Sequence, residues 1–182
     1  AKQMFQVSLE KPGDGPKIEK LLDQSFGPER GRLTAYCLRA DVPALAELCF
    51  VMRGAAFLCA TIRFWPVLID DHIGTVLLGP LAVGQVWRGQ GFSKILLRHS
   101  LARAKALGHA SMLVIGDPEY YKPFGFSSDL TNALVLPKAV EGGRFQACEL
   151  IDGALDGVSG TVTPAIRPYA DPQGAAPFAP GS

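Results

Sequence analysis

The sequence predicts a mixed α/β domain built on a mostly antiparallel sheet, and three observations predict it. Of 182 residues, 48% are hydrophobic and 19% charged, an apolar content suited to one compact core rather than a disordered chain. Stretches that alternate with period two are interspersed with stretches of helical period. The first half strings strands together through short turns, the connection that makes antiparallel hairpins, and a long helix follows the fourth strand.

Each element has its own signal. Phe5, Val7 and Leu9 alternate with Gln6, Ser8 and Glu10, so 5–10 reads as a strand. Asp14-Gly15-Pro16 starts a helix on which Ile18, Leu21, Leu22 and Phe26 recur at helical spacing, and Gly27 stops it. A loop over 27–32 leads to a second short helix at 33–39. Segments 45–52 and 55–68 read as strands joined by a turn at Arg53-Gly54. After a turn at 70–74, segment 75–83 is apolar on both faces and therefore central in a sheet. The clearest helix is 90–107, where Phe92, Ile95, Leu96, Leu101 and Ala104 oppose Lys94, Arg98 and Lys105, and Gly108 ends it. A short buried strand at 111–115, a brief helix within 118–123 and strands near 133–136 and 145–151 complete the domain. One domain is expected over 1–167, followed by a Pro-, Ala- and Gly-rich tail over 168–182.

The formal net charge is +1, so the molecule as a whole carries no field that attracts nucleic acid. The distribution is uneven. Segment 72–116 contains no Asp or Glu but holds Arg88, Lys94, Arg98, Arg103 and Lys105. That block suits a small anionic ligand better than a duplex; the plainer alternative is a solvated helix face. Cys37, Cys49, Cys59 and Cys148 show no C-x-x-C spacing, and His72, His99 and His109 are far apart, so no metal is expected. The longest apolar run, 57–68, is interrupted by Arg63 and Pro66 and falls short of the ~20 residues that span a bilayer. With no signal-peptide layout at the N-terminus, the expected location is the cytoplasm, with no membrane partner.

The stretch that carries chemistry runs from Leu81-Ala82-Val83 through Arg88-Gly89-Gln90-Gly91-Phe92-Ser93-Lys94 into the long helix. Gly89 and Gly91 permit backbone turns that side chains obstruct and let a ligand approach closely. The first N–H groups of a helix have no intrahelical partner and carry positive potential, so they suit phosphate oxygens. Here the first turn holds Lys94 and no acid. Neither a Walker loop nor a dinucleotide fingerprint fits, because Lys94 stands where each requires a glycine. The pattern present is R-x-x-G-x-S, on Arg88, Gly91 and Ser93.

This pattern, after a strand ending Leu81-Ala82-Val83, resembles the [QR]-x-x-G-x-[GA] signature of the GNAT superfamily of acyl-CoA-dependent N-acyltransferases. Ser93 departs from the usual Gly or Ala. A second segment, Tyr121-Lys-Pro-Phe-Gly125-Phe126, resembles that family's Y-x-x-x-G-F, and the wording from Gly116 onward is similar to a branch of bacterial members. The resemblance implies a sheet of about seven strands flanked by about four helices. It implies an acetyl-CoA donor and a primary amine acceptor, either a small molecule or a peptide. Homodimers are common among relatives, so one is possible here.

Residue by residue, the resemblance implies that the backbone of Leu81, Ala82 and Val83 pairs with pantetheine. Gly79-Pro80 suits a bulge that splays the fourth and fifth strands; its alternative is a simple bend. The amides of Gly89, Gln90, Gly91, Phe92, Ser93 and Lys94 are placed on the diphosphate, with Arg88 and Lys94 as side-chain partners. The implied chemistry is direct attack of the amine on the thioester through a tetrahedral intermediate. Val83 N–H is placed on the carbonyl oxygen and Tyr121 as proton donor to the thiolate; the alternatives are a packed Tyr121, or Tyr120 in its place. No carboxylate lies on the fourth strand. Asp70, Asp71 and His72 belong to the far end of the hairpin, about 35 Å from Val83 along an extended strand. Asp117 is nearer, as a base directly or through water, or as a helix cap. Tyr36 and Arg39 are candidates for the acceptor pocket, or else pack and face solvent. The rival to an enzyme is a noncatalytic acyl-CoA-binding module of the same fold.

Overall fold

A computed structural model describes residues 4–39 and 41–165. The expected tail at 168–182 and the domain end at 167 lie outside the described residues. The strands are β1 (Gln6–Leu9), β2 (Phe50–Arg53), β3 (Leu58–Ile69), β4 (Ile73–Val83), β5 (Ser111–Ile115), β6 (Leu134–Val135), β7 (Phe145–Glu149) and β8 (Gly160–Pro164). The helices are α1 (Gly15–Phe26), α2 (Thr34–Cys37), α3 (Phe92–Ala106) and α4 (Pro118–Tyr121), joined by several single 3₁₀ turns.

The main sheet runs β1-β2-β3-β4-β5-β7. Every neighbour pair on that path is antiparallel except β4–β5, which the crossover through α3 makes parallel. The second half of β3 also carries β8, which pairs in parallel with β6. β4 and β5 are buried on both faces, as a strand covered by helix on one side and loops on the other must be. Val76, Leu78, Met112 and Val114 pack under Phe92, Leu96, Leu97 and Ala104 of α3. Leu77 and Leu113 point the other way, toward Leu134, Ala147, Leu155 and Val162. α1 lays Ile18, Leu21 and Leu22 on Val51 and Ala82, so the end of β4 rests on this helix.

Four details depart from the sequence reading. Residues 45–49 form a 3₁₀ turn (Ala46–Leu48) instead of the first half of a strand, because Leu48 N–H folds back to the Leu45 carbonyl at 2.9 Å. β8 was not foreseen: its one fully buried side chain is Val162, at the β3 edge, too little alternation to read alone. The buried face of α3 contains Leu97 and Ser100 in place of Ile95, which is 43% exposed; Ser100 is accommodated by donating to the Leu96 carbonyl at 2.7 Å. Finally, Phe26 ends α1 exposed, not in the core. All four cysteines are free thiols, with Cys37 only half-buried. No helix among the described residues is long and apolar enough to cross a membrane.

Candidate active site

The site begins with a break in the sheet. β4 pairs with β5 through Leu78–Val114 and no further, and its register with β3 slips between Ile62↔Leu81 and Phe64↔Leu78, so Gly79 and Pro80 together oppose Arg63. That two-against-one count is a β-bulge, and it bends β4 away from β5. Beyond it, Leu81–Val83 has β3 on one side and no strand on the other. Gly84 N–H donates to the Cys59 carbonyl at 2.7 Å. Backbone direction alternates along an antiparallel ladder, so Ala82 faces β3 while Leu81 and Val83 present N–H and C=O to the gap. The Val83 carbonyl accordingly accepts from Arg88 Nε at 3.4 Å, across the loop that follows.

This gap is the floor of a cavity of about 540 Å³, within the size range of small-ligand sites. Its wall brings together Leu81, Ala82, Val83, Arg88, Ser93, Asp117, Tyr121, Tyr36 and Arg39, all singled out from the sequence, along with Tyr120, Arg144, Phe26 and Leu33. Gly89, Gln90, Gly91, Phe92 and Lys94 are not on that wall; they form the adjoining turn into α3. Gly89 and Gly91 adopt φ of +84° and +79°, the left-handed region that glycine alone enters at little cost. No side chain caps the α3 N-terminus and no acid occupies its first turn, while Ile95 N–H makes the first intrahelical bond, to the Gly91 carbonyl. The Phe92 side chain is buried against Phe5, so only its backbone is offered to a ligand. Lys94 is exposed.

Two neighbouring tyrosines hang over the opposite wall, and they are used differently. Tyr120 OH donates to Ser93 Oγ at 2.7 Å, tying the short helix α4 to the start of α3. That contact gives the departure at Ser93 a structural use. Tyr121 packs edge-on against Tyr120 and Phe126 and makes no side-chain hydrogen bond among the described residues. Burial pushes its phenol well above the usual tyrosine range, with Tyr120 and Asp117 adding to the shift and Arg144 opposing it. Asp117 caps α4, its Oδ1 accepting from Glu119 N–H at 3.0 Å, so the capping alternative is the one seen for that oxygen. Asp70, Asp71 and His72 sit in the exposed turn between β3 and β4, away from the cavity.

The third wall comes from the segment after α1. Arg30 is ion-paired to both Glu19 and Asp23, which holds the 27–33 loop down on α1. From there α2 delivers Tyr36, and the turn after it delivers Arg39. The Arg39 guanidinium lies 3.4 Å from the Tyr36 ring centroid and 4.4 Å from that of Trp65. Trp65 and Arg144 were not legible as site residues: one sits on a strand indistinguishable from its neighbours, the other in a loop remote in sequence. Among the described residues no cluster of His, Cys, Asp and Glu is arranged to hold a metal.

No model of a known protein family matches the chain. The uncharacterized N-acetyltransferase YhbS of Escherichia coli K12 is 30% identical over 157 residues, 86% of this chain and 93% of that protein. Its crystal structure, a complex with CoA, superposes with a TM-score of 0.75 at 29% identity, covering 90% of this chain and 91% of the other. A GNAT family acetyltransferase from Brucella melitensis, solved with acetyl-CoA, follows at a TM-score of 0.66 and 26% identity, over 88% and 95% of the two chains. With that identity sustained along most of both sequences and the same overall fold beneath it, the chain belongs to the GNAT family of N-acetyltransferases.

Proposed function

We propose that the protein moves an acetyl group from acetyl-CoA to the primary amine of a small molecule or peptide, and that the cavity beside β4 is where it does so. The observation that carries this reading is the edge of Leu81 and Val83 that pairs with no strand, opened by the Gly79-Pro80 bulge directly beside the uncapped start of α3. The donor set suits acetyl-CoA along its length. The edge of Leu81–Val83 that pairs with no strand suits the amides of the pantetheine arm, as an added strand would, with the Val83 N–H kept for the acyl end. The main-chain N–H groups at Gly89, Gln90, Gly91, Phe92, Ser93 and Lys94 suit the diphosphate, where the helix dipole and the lack of any acid favour negative charge. A Cβ at Gly89 or Gly91 would meet nothing within 4 Å, so the approach there is open.

When bound, acetyl-CoA supplies an acyl carbon already activated as a thioester. The chain then contributes in five ways. Val83 N–H, free of the ladder, donates to the carbonyl oxygen as negative charge develops there. Tyr121, a phenol neutral at about pH 7 as any tyrosine is, donates a proton toward sulfur and regains one from solvent as the attacking amine gives up its own; Tyr120, whose hydroxyl proton is engaged by Ser93, is the poorer donor. Asp117 caps α4 and thereby holds both tyrosines over the cavity. Arg88 braces the turn through the Val83 carbonyl. Tyr36 and Arg39 line the side from which the amine enters.

The test is release of free thiol from acetyl-CoA in the presence of a panel of amines, with the acetylated product identified by mass. Thiol and product rising together establish transfer. CoA binding with no thiol release for any amine would instead leave an acyl-CoA-binding module.

A further inference from the structure

We propose that the acceptor carries a carboxylate on an apolar body as well as its amine, and that Arg39 holds this carboxylate; the proposal rests on the transferase reading of the same cavity. Arg39 is a half-buried cation whose guanidinium carbon lies over the rings of both Tyr36 and Trp65. Stacking of this kind removes the freedom of a long side chain and leaves the N–H edges of the guanidinium for ligands. Those edges are barely used. Among the described residues the only hydrogen bond of good geometry they make is from Nη1 to the Gly79 carbonyl at 3.4 Å, and Trp65 Nε1 already occupies that oxygen at 2.5 Å. The Tyr36 hydroxyl beside it is buried, with no partner at hydrogen-bond geometry among the described residues.

No carboxylate among the described residues pairs directly with this charge; Glu19 favours it only from a distance. Glu19 is shared between Arg30 and Arg63, and Asp117, the sole acid on the described cavity wall, caps α4. Arg39 shows no ion pair with a described residue, and neither does Arg144 across the cavity. A guanidinium stays charged even where burial disfavours it, so a cation taken partly out of water here has no directly paired counter-ion among the described residues until one is brought in. The planar fork of N–H donors matches a carboxylate in two parallel hydrogen bonds. The donor's diphosphate does not fill this place, because Gly79 precedes the free stretch Leu81–Val83 and the start of α3 follows it. Phe26 and Leu33, respectively 44% and 48% exposed at the rim, are suited to an apolar body on the acceptor.

The test compares matched pairs: leucine, methionine, phenylalanine and tryptophan against their primary amides, and short peptides with free against amidated C-termini. Thiol release and product mass are followed in each. The less basic amine of an amide biases the comparison against the proposal. The carboxylated member of the best pair is expected to have a kcat/KM about tenfold or more above its amide. In Arg39→Gln that ratio falls to about threefold or less, mainly through KM, and Arg39→Lys restores part of it. Preference for free amino acids over peptides, or the reverse, identifies the source of the carboxylate. Equal or faster transfer to amides and plain amines overturns the carboxylate assignment while leaving acetyl transfer in place; no transfer to any amine by a CoA-binding protein overturns the transferase reading itself. The wild-type pairs decide the question even if an Arg39 variant does not fold.

Discussion

Tyr121 is held by what surrounds it more than by what it bonds to. A Cβ added at Gly116 would stand 2.6 Å from Tyr121 Cε2, so the end of β5 must be bare for the ring to lie where it does. Phe126 closes on the other side at a centroid distance of 5.5 Å, and Gly125, at φ +94°, turns the chain to bring it there. The Y-x-x-x-G-F spacing is thus a packing device that fixes one phenol. Tyr121→Phe keeps this packing and removes only the hydroxyl; acyl-CoA affinity should be unchanged and kcat should fall about 10²-fold. Because burial raises the phenol's pKa, its neutral, proton-donating form persists to higher pH than that of an ordinary tyrosine. The wild-type kcat should therefore show no falling limb from this group between about pH 8 and 10. A limb in that range that vanishes in Tyr121→Phe would contradict the shift. The candidate site was legible in the sequence where one short stretch both contains the group and positions it, as at the strand end Leu81–Val83 and the turn at Gly89 and Gly91, whereas Tyr121 was offered only through the resemblance of its Y-x-x-x-G-F segment. Arg39's partner Trp65 and the distant Arg144 come to the site only by tertiary packing, and nothing in their own neighbourhoods signals it.

At the scale of elements, β4 works because α1 supports its far end, and α1 is itself anchored at its start. Asp14 Oδ1 and Oδ2 accept from Arg53 Nη1 and Nη2 at 2.9 and 2.5 Å, and Oδ2 also accepts from Lys11 N–H at 2.7 Å. Arg53 continues to Ser8 Oγ at 2.9 Å, so one guanidinium joins β2, β1 and the entry to α1. The hydrogen bonds from Arg53 hold the Asp14 carboxyl down at about 2. A carboxyl depressed on folding adds stability that is complete above its unfolded pKa of about 4 and disappears as pH falls through the folded value. Arg53→Met should cost about 1–2 kcal/mol at pH 7 and flatten the loss of stability between pH 4 and 2. Urea unfolding at pH 7 and at pH 3 measures both; an unchanged pH dependence would remove the pair from this role. The elements themselves were largely readable, since long alternations and the 3.6 period survive in any context. What escaped, β8 and the rotated face of α3, depends on partners: β8 exists only at the β3 and β6 edges, and Ser100 replaces Ile95 because its hydroxyl finds a carbonyl within the helix.

Across the whole molecule, three layers meet at one short stretch of strand. α1 packs on Ala82 from one face, α3 covers the other face of the sheet, and the β5 side of Leu81–Val83 is left open between them. A ligand that pairs with that edge and also reaches the α3 start touches groups brought together only in the folded chain. Its binding free energy then adds directly to the stability of the fold. At about one hundred times Kd the gain is about 2.7 kcal/mol, which for a domain of this size corresponds to a rise in Tm of roughly 5–11 °C. The net charge of +1 gives the molecule no general pull on anions, so the effect should require the specific site. CoA should therefore raise Tm strongly, whereas pantetheine at the same concentration, lacking the diphosphate, should raise it by much less. Differential scanning calorimetry with the two ligands separates the contributions of the strand edge and the helix start. Equal shifts would take the diphosphate away from α3 and leave the β4 edge as the sole anchor; no shift with either would mean that the opening beside the bulge is not where the carrier binds.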